Sequence, residues 1–448
     1  MLEKDSLTVL KHAIAQLEKG FEGLPEFESE IELGKLNEVI EHVAERMQEN
    51  YPYFHPYYAG QMLKPPHPVA RIAYMLAMWV NPNNHALDGG IASSKMEKEV
   101  IQDLAAMFGW DTHLGHLTGG GTLANMEALW IAGQLHPGKK ILASELAHYT
   151  HQRISGVLQL PFESVPCNRD AIMDIDALKG ILESQDVGTI VVTLGTTGLG
   201  KVDPLSDILD LQSEYGFRIH VDAAYGGYFV LADVLPEHVK AEYEHLDKVD
   251  SIVIDPHKHG LQPYGCGCIL FRDPVVGTYY KHDSPYTYFT TDELHLGEIS
   301  LECSRAGASA VGLWATHQYF PLLKGGAFSQ MLDKCLQAAR MLTGYLEDDP
   351  KFLPLYQPEL DIAVWGVRGY SLSEISGKSR HLFDQAAKSG IHLALLNYPA
   401  RLLPGTWRDV EKDAEYVTCL RSVCMKPEHL DWVDRIYNEI RIIAHDSP

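Results

Sequence analysis

Ser251–Gly260 reads "SIVIDPHKHG", and the fold turns on how this stretch is read. Four residues suited to a buried strand run into Asp255, Pro256, His257, Lys258 and His259. A lysine costs free energy to bury, and two neighbouring imidazoles do nothing to neutralise it. Either the strand surfaces here into an ordinary polar loop, or the amine is committed to covalent chemistry and held as an imine. The choice depends on what the rest of the chain sets beside it.

Upstream, "RIHVDAAYGGYF" (218–229) ends a second apolar strand at Asp222, followed by the small residues Ala223 and Ala224. A carboxylate there either caps a turn or pairs with a cationic ring nitrogen, with Ala224 small enough for a flat group to lie against it. "SELAHYTHQRI" (144–154) offers His148 after another strand, as a structural histidine or as a ring that stacks on a ligand. "HLTGGGTLANMEAL" (116–129) has three glycines, Gly119, Gly120 and Gly121, then Thr122 and a helix. Such a turn lets backbone N–H groups and a helix N-terminus converge on an anion. It matches neither a P-loop nor the dinucleotide fingerprint.

Between and around these motifs lie the strand candidates "KKILASE", "TIVVTLG", "FRIHVDAA", "DSIVIDP" and "GCILFRD", separated by helical stretches such as "ANMEALWIAGQL" and "LSDILDLQSEYG". Strand–helix–strand repetition predicts an α/β fold, a largely parallel sheet with helices on both faces. Ligands of such sheets sit beyond the carboxyl ends of the strands. Residues 1 to 50 carry helical periodicity, whereas "YPYFHPYYAGQMLKPPHP" is too rich in Tyr and Pro for a regular helix. After residue 300 a helix pair is expected, "ASAVGLWATHQYF" and "GAFSQMLDKCLQAARMLTGYLED". The strands "DIAVWGVRG", "IHLALLNYP" and "YVTCLRSVCM" of a smaller α+β unit follow.

At 448 residues the chain is too long for one ordinary core. Its formal charge of −23 argues against nucleic acid as a partner. The N-terminus lacks the apolar run of a signal peptide, and "RIAYMLAMWV" is too short for a membrane span, so a cytoplasmic protein is expected. Cys266 and Cys268 are spaced to share a strand face, but no second pair completes a metal site. No metal is expected, and the cysteines read as small buried thiols.

In order along the chain stand a glycine loop, His148, Asp222 and Lys258. This constellation resembles the group II pyridoxal phosphate-dependent amino acid decarboxylases of fold type I. The resemblance rests on "HVDAAYGG", "DPHKHGLQPYGCG", "TGGGTLANMEAL" and "LECSRAGASAVGLWA", and extends over most of the chain, from "HPYYAGQM" to "CLRSVCMKP". It implies a mainly parallel seven-stranded sheet. It also implies an N-terminal helical and dimerisation segment over 1–65, a large cofactor domain over 66–320 and a small C-terminal domain over 321–448.

For individual residues the resemblance implies the following. Lys258 holds pyridoxal 5'-phosphate as a Schiff base. Asp222 keeps the ring nitrogen protonated, so that the ring accepts the electrons left when CO2 departs through a quinonoid. His148 stacks on one ring face and Ala224 packs on the other. Gly121, Thr122 and His257 contact the phosphate, Gly120 and Asp255 are further cofactor-binding residues, and Thr197 lies near the ring substituents. Tyr286 or Tyr288 in "DSPYTYFTT" returns a proton to the α-carbon, with His148 as the fallback. Arg421 takes a substrate carboxylate, and Gln61, Tyr57 and Tyr58 are further pocket residues. The family also implies a homodimer with sites at the subunit interface.

Two departures from the family pattern stand out: Gly119 in the loop, and His151 with Arg153 after His148. The Tyr-rich segment 51–58 tilts the expected amino acid substrate toward an aromatic one, ahead of acidic ones such as aspartate or sulfinoalanine. Three alternatives stay open on the same sequence. They are an aldehyde synthase, raised by Phe289 beside the loop tyrosines, a carbon–carbon lyase, and a silent paralogue acting as a scaffold. The intact Lys258 and Asp222 count against the last.

Overall fold

The computed structural model describes residues 4–25, 30–281 and 295–446. Its central feature is a seven-stranded sheet of β1 (Leu114–Thr118), β2 (Lys140–Ser144), β3 (Phe162–Val165), β4 (Val187–Thr193), β5 (Arg218–Asp222), β6 (Ser251–Ile254) and β7 (Gly267–Phe271). The order across the sheet is β1-β7-β6-β5-β4-β2-β3. Only β7 runs against the rest, pairing antiparallel with both β1 and β6. Along the parallel run, β4 is buried at every position. That is why its sequence is a continuous apolar, β-branched stretch and not an alternating one.

The five strands expected from sequence are present, joined by β1 and β3. "LGHLT" has a single β-branched residue and "FESV" is only four residues long, so these strands are fixed by their neighbours more than by intrinsic preference. β4, β5 and β6 lie side by side and end at Thr193, Asp222 and Ile254, so their exits open onto common ground.

A second sheet is antiparallel throughout. It contains β8 (Phe352–Pro354), β9 (Ile362–Val367), β10 (Ala394–Pro399) and β11 (Tyr416–Val423), in the order β10-β11-β9-β8. Helix Gly307–Tyr319 and helix Ala327–Asp348 form the expected pair between the two sheets in sequence. The Tyr- and Pro-rich stretch is irregular, as its composition requires. It is stitched to the small sheet by Ala59 N–H to the His392 carbonyl at 2.9 Å and Val423 N–H to the Ala59 carbonyl at 2.8 Å.

At the N-terminus, helix Leu33–Met47 buries none of its residues, and Leu36, Val39, Ile40 and Val43 stand exposed on it. Among the described residues no helix is long and apolar enough to cross a membrane. All seven cysteines are free thiols, and all but Cys303 are buried.

Candidate active site

β5 delivers Asp222 and β6 delivers the Asp255–Lys258 turn into one cavity of about 560 Å³. Helix Gly121–Leu135 faces it with its N-terminus, so Gly119, Gly120, Gly121 and Thr122 all line the space. A buried relay steadies that end. Ser251 Oγ contacts His220 Nδ1 at 2.9 Å, His220 Nε2 contacts Asn125 Oδ1 at 2.8 Å, and Asn125 donates to the Gly121 carbonyl at 2.9 Å. From the far side Glu302 accepts the Gly119 N–H at 3.0 Å. Gly121 is forced by space: a Cβ there would lie 2.7 Å from Asp255 Oδ2.

The partner of Lys258 is the aspartate three residues before it. Asp255 Oδ2 lies 3.1 Å from the Lys258 Nζ, with His257 Nε2 at 3.5 Å on the same oxygen. The other oxygen, Asp255 Oδ1, is buried with no hydrogen-bond partner. His257 Nδ1 bonds the Cys266 carbonyl at 2.8 Å, which leaves Nε2 toward the cavity side. Burial lowers the His257 pKa, with Asp255 opposing.

His259, next to Lys258, turns into the core. It is 1% exposed, lies 3.2 Å from Asp361 Oδ2 and packs its ring between those of Tyr225 and Phe229.

Asp222 is buried, with Oδ2 2.8 Å from His151 Nε2 and Oδ1 accepting the Ala224 N–H at 3.1 Å. Burial works against its charge. The hydrogen bond and charge of His151, the charge of Lys258 and the Ala224 N–H outweigh it and hold the carboxyl below its usual range. His148 lines the cavity, with Nδ1 bonded by the Thr150 hydroxyl. Burial lowers its pKa, and Asp222 pulls the other way. Ala224 and Thr197 line the same space.

The remaining candidates fall into three groups. Arg421, on β11, donates to Gln61 Oε1 at 3.2 Å and to the carbonyl of the cavity-lining Thr197 at 2.7 Å, so these two candidates meet beside the cavity without lining it. Tyr57 and Tyr58 do not line the cavity. Tyr57 packs on Trp432, and Tyr58 has the Lys426 amine 5.3 Å over its ring. Tyr286, Tyr288 and Phe289 lie outside the described residues.

The residues present fit pyridoxal 5'-phosphate. The site offers an amine for the aldehyde, an ionised carboxylate for the ring nitrogen, and a glycine-lined helix N-terminus for the phosphate. Lys258 would hold the first, Asp222 the second, and Gly120, Gly121 and Thr122 the third. When bound, the cofactor supplies an electron sink conjugated to the substrate's α-carbon.

A mainly parallel sheet with these groups at adjacent strand exits defines a pyridoxal phosphate enzyme of fold type I. Residues 131–364, just over half of the chain, match the family model described as "Pyridoxal-dependent decarboxylase conserved domain". The chain belongs to that family of PLP-dependent carboxy-lyases.

Among its relatives, an L-tyrosine decarboxylase from Enterococcus faecium is 28% identical, covering 90% of this chain and 86% of the relative. An L-aspartate decarboxylase from Thermococcus kodakarensis is also 28% identical, over 81% and 93%. Among solved structures, mouse CSAD in apo form superposes with a TM-score of 0.79 at 20% identity, over 97% and 92% of the two chains. Oryza sativa TDC with PLP and tryptamine gives 0.78 at 16%, over 99% of each.

Sequence reasoning noted His151 as a departure and gave it no role. It passed over Asn125, Glu302 and Tyr225 altogether. Tyr225 follows the "DAA" motif and lines the cavity, so its adjacency to Asp222 was the available signal. Glu302 stands in the motif "LECSRAGASAVGLWA", but nothing local ties it to Gly119, since their contact spans 183 positions of chain.

Proposed function

We propose that this chain decarboxylates an L-amino acid with an acidic side chain, releasing CO2 and the amine. The observation that carries the acidic preference is the setting of Arg421. It is 4% exposed, its hydrogen bonds go to a carbonyl and an amide oxygen, and its Nε is buried without a partner. Asp361 acts on this guanidinium only through space, so no carboxylate among the described residues takes its hydrogen bonds and an anion from outside can.

The departing α-carboxylate is a poor candidate for that grip. Its charge leaves with CO2, so a strong ion pair to it stabilises the starting state and slows the reaction. A side-chain carboxylate keeps its charge throughout. Of the tyrosines behind the aromatic preference, Tyr57 packs on Trp432 and Tyr58 stands in the field of Arg421, a setting that suits a charged ligand as well as an aromatic one. An aromatic substrate is kept as the second reading because the Enterococcus relative is a tyrosine decarboxylase. Tyr286 or Tyr288 is our proposed proton donor to the α-carbon.

The test is to incubate the PLP-loaded protein with L-aspartate, sulfinoalanine, L-glutamate, L-tyrosine and dopa, recording amine, CO2, aldehyde and peroxide. Amine and CO2 from an acidic substrate are expected, and Arg421→Gln should raise its KM about 10- to 100-fold, the worth of a hydrogen bond to a charged group. Turnover of tyrosine alone would move the reading to the aromatic class. Aldehyde with peroxide would make the chain an aldehyde synthase, and inertness with a colourless protein would favour a scaffold.

We also propose that a second copy of the chain covers the apolar face of helix Leu33–Met47, giving a homodimer. The free, mostly buried thiols support a reducing, cytoplasmic location.

A further inference from the structure

His151 is a buried polar side chain at the centre of the site for which neither cofactor nor substrate chemistry has supplied a use. It is 0% exposed, and its Nε2 meets Asp222 Oδ2 at 2.8 Å, while its Nδ1 is buried with no partner. A histidine retained for packing and internal bonding satisfies both nitrogens, as His220 does nearby through Ser251 and Asn125. At His151 one nitrogen is buried without a protein partner, which costs free energy that a phenylalanine of similar shape would avoid. What the imidazole supplies in return is the single contact to Asp222.

Asp222 is otherwise held only from its own strand exit, by the Ala224 N–H on Oδ1. With that bond alone, the carboxylate is free to rotate about χ2. His151 comes from a different element, helix Thr150–Val157, and fixes the second oxygen. The same turn carries Thr150, whose hydroxyl and N–H both bond His148 Nδ1. One helical turn therefore sets the ring that lines the cavity and the orientation of the carboxylate opposite it.

We propose that His151 is a positioning residue: its Nε2–H locks the Asp222 carboxylate toward the cofactor's ring nitrogen and couples it to His148. It touches neither substrate nor cofactor, and acts only through Asp222. The expectation follows the general behaviour of groups that orient a functional side chain.

The test compares His151→Phe, which keeps the shape and removes the donor, with His151→Gln, whose amide nitrogen reaches where Nε2 stood, and His151→Asn, which is too short. PLP affinity of each apo-protein is measured by fluorescence titration. The visible absorbance of the bound cofactor is followed across pH, and unfolding of the apo-proteins is monitored alongside. Phe and Asn are expected to weaken PLP binding about 10- to 100-fold and to displace the pH profile of the cofactor band, with Gln restoring both. Should the Phe variant fail to fold, Gln against Asn decides. Wild-type affinity and band in Phe or Asn would overturn the proposal. So would equal losses in Gln and Asn that track unfolding, since a packing role predicts that result.

Discussion

The Tyr225 phenol donates to Asp361 Oδ1 at 2.5 Å, and the other oxygen of Asp361 faces His259 at 3.2 Å. Tyr225 lines the cavity and His259 follows Lys258, while Asp361 immediately precedes β9 of the small sheet. Asp361 is fully buried; burial opposes its charge, but His259 and Tyr225 together hold its carboxyl below the usual range. Removing it strands a phenol and an imidazole at the junction of the two sheets. Asp361→Ala is expected to lower stability by about 3–5 kcal/mol, and Tyr225→Phe by about 1 kcal/mol, read from urea unfolding of the apo-protein. Equal, small losses in both would show the carboxylate to be a bystander.

A second buried acid gives stability a pH dependence. Glu127 takes the Tyr280 hydroxyl at 3.0 Å and lies 3.0 Å from His116 Nε2. Burial pushes its carboxyl up to about 8, and drives His116 well below its ordinary range. The folded chain thus keeps a proton on Glu127 that the unfolded chain releases above about pH 4.3. The folded state binds the extra proton across that window, so this group's contribution to stability falls as pH rises from about 4.3 to 8. Glu127→Gln should flatten the decline, which is at most about 1.4 kcal/mol per pH unit. Denaturation midpoints collected at several pH values for both proteins check it; parallel curves would refute it.

Gly121 is a steric test of the cofactor site. A methyl group there meets Asp255 Oδ2 at 2.7 Å, and that oxygen is the one beside Lys258. Gly121→Ala should destabilise the apo-protein by about 1–3 kcal/mol through overpacking and, by pushing Asp255 from its place beside Lys258, weaken PLP binding. Equilibrium dialysis against PLP measures it. Unchanged affinity would mean that the loop gives way without cost.

Periodicity located the strands β5 and β6 whose exits bear Asp222 and Lys258, while the roles expected of these residues, of the glycine loop, and of Thr197 and Ala224 came from the family resemblance. What stayed hidden depends on long-range packing. His151 meets Asp222 across 71 positions and Tyr225 meets Asp361 across 136, separations at which no local pattern operates. The direction taken by Tyr57 and Tyr58 was equally unreadable. An irregular segment has no period from which to infer a face, and these two turned toward Trp432 and Lys426.

The dimer proposed from helix Leu33–Met47 is checked by charge insertion. Val39→Glu with Ile40→Glu places two carboxylates on an apolar face that is exposed in the single chain, so the fold itself should be spared. Sedimentation of the wild-type should give twice the chain mass, and the double variant should move toward one. A wild-type monomer would dismiss the second copy as the helix's partner.

Lys258 and Asp222 leave strands of the parallel sheet, whereas Arg421 is planted mid-strand in the antiparallel one, in register with Ala394 and Val364. Under the function we propose, reaction and recognition rest on separate scaffolds: a change in β11 would re-aim the chain at another amino acid while the exits of β5 and β6 stay as they are, which makes the small sheet the exchangeable part.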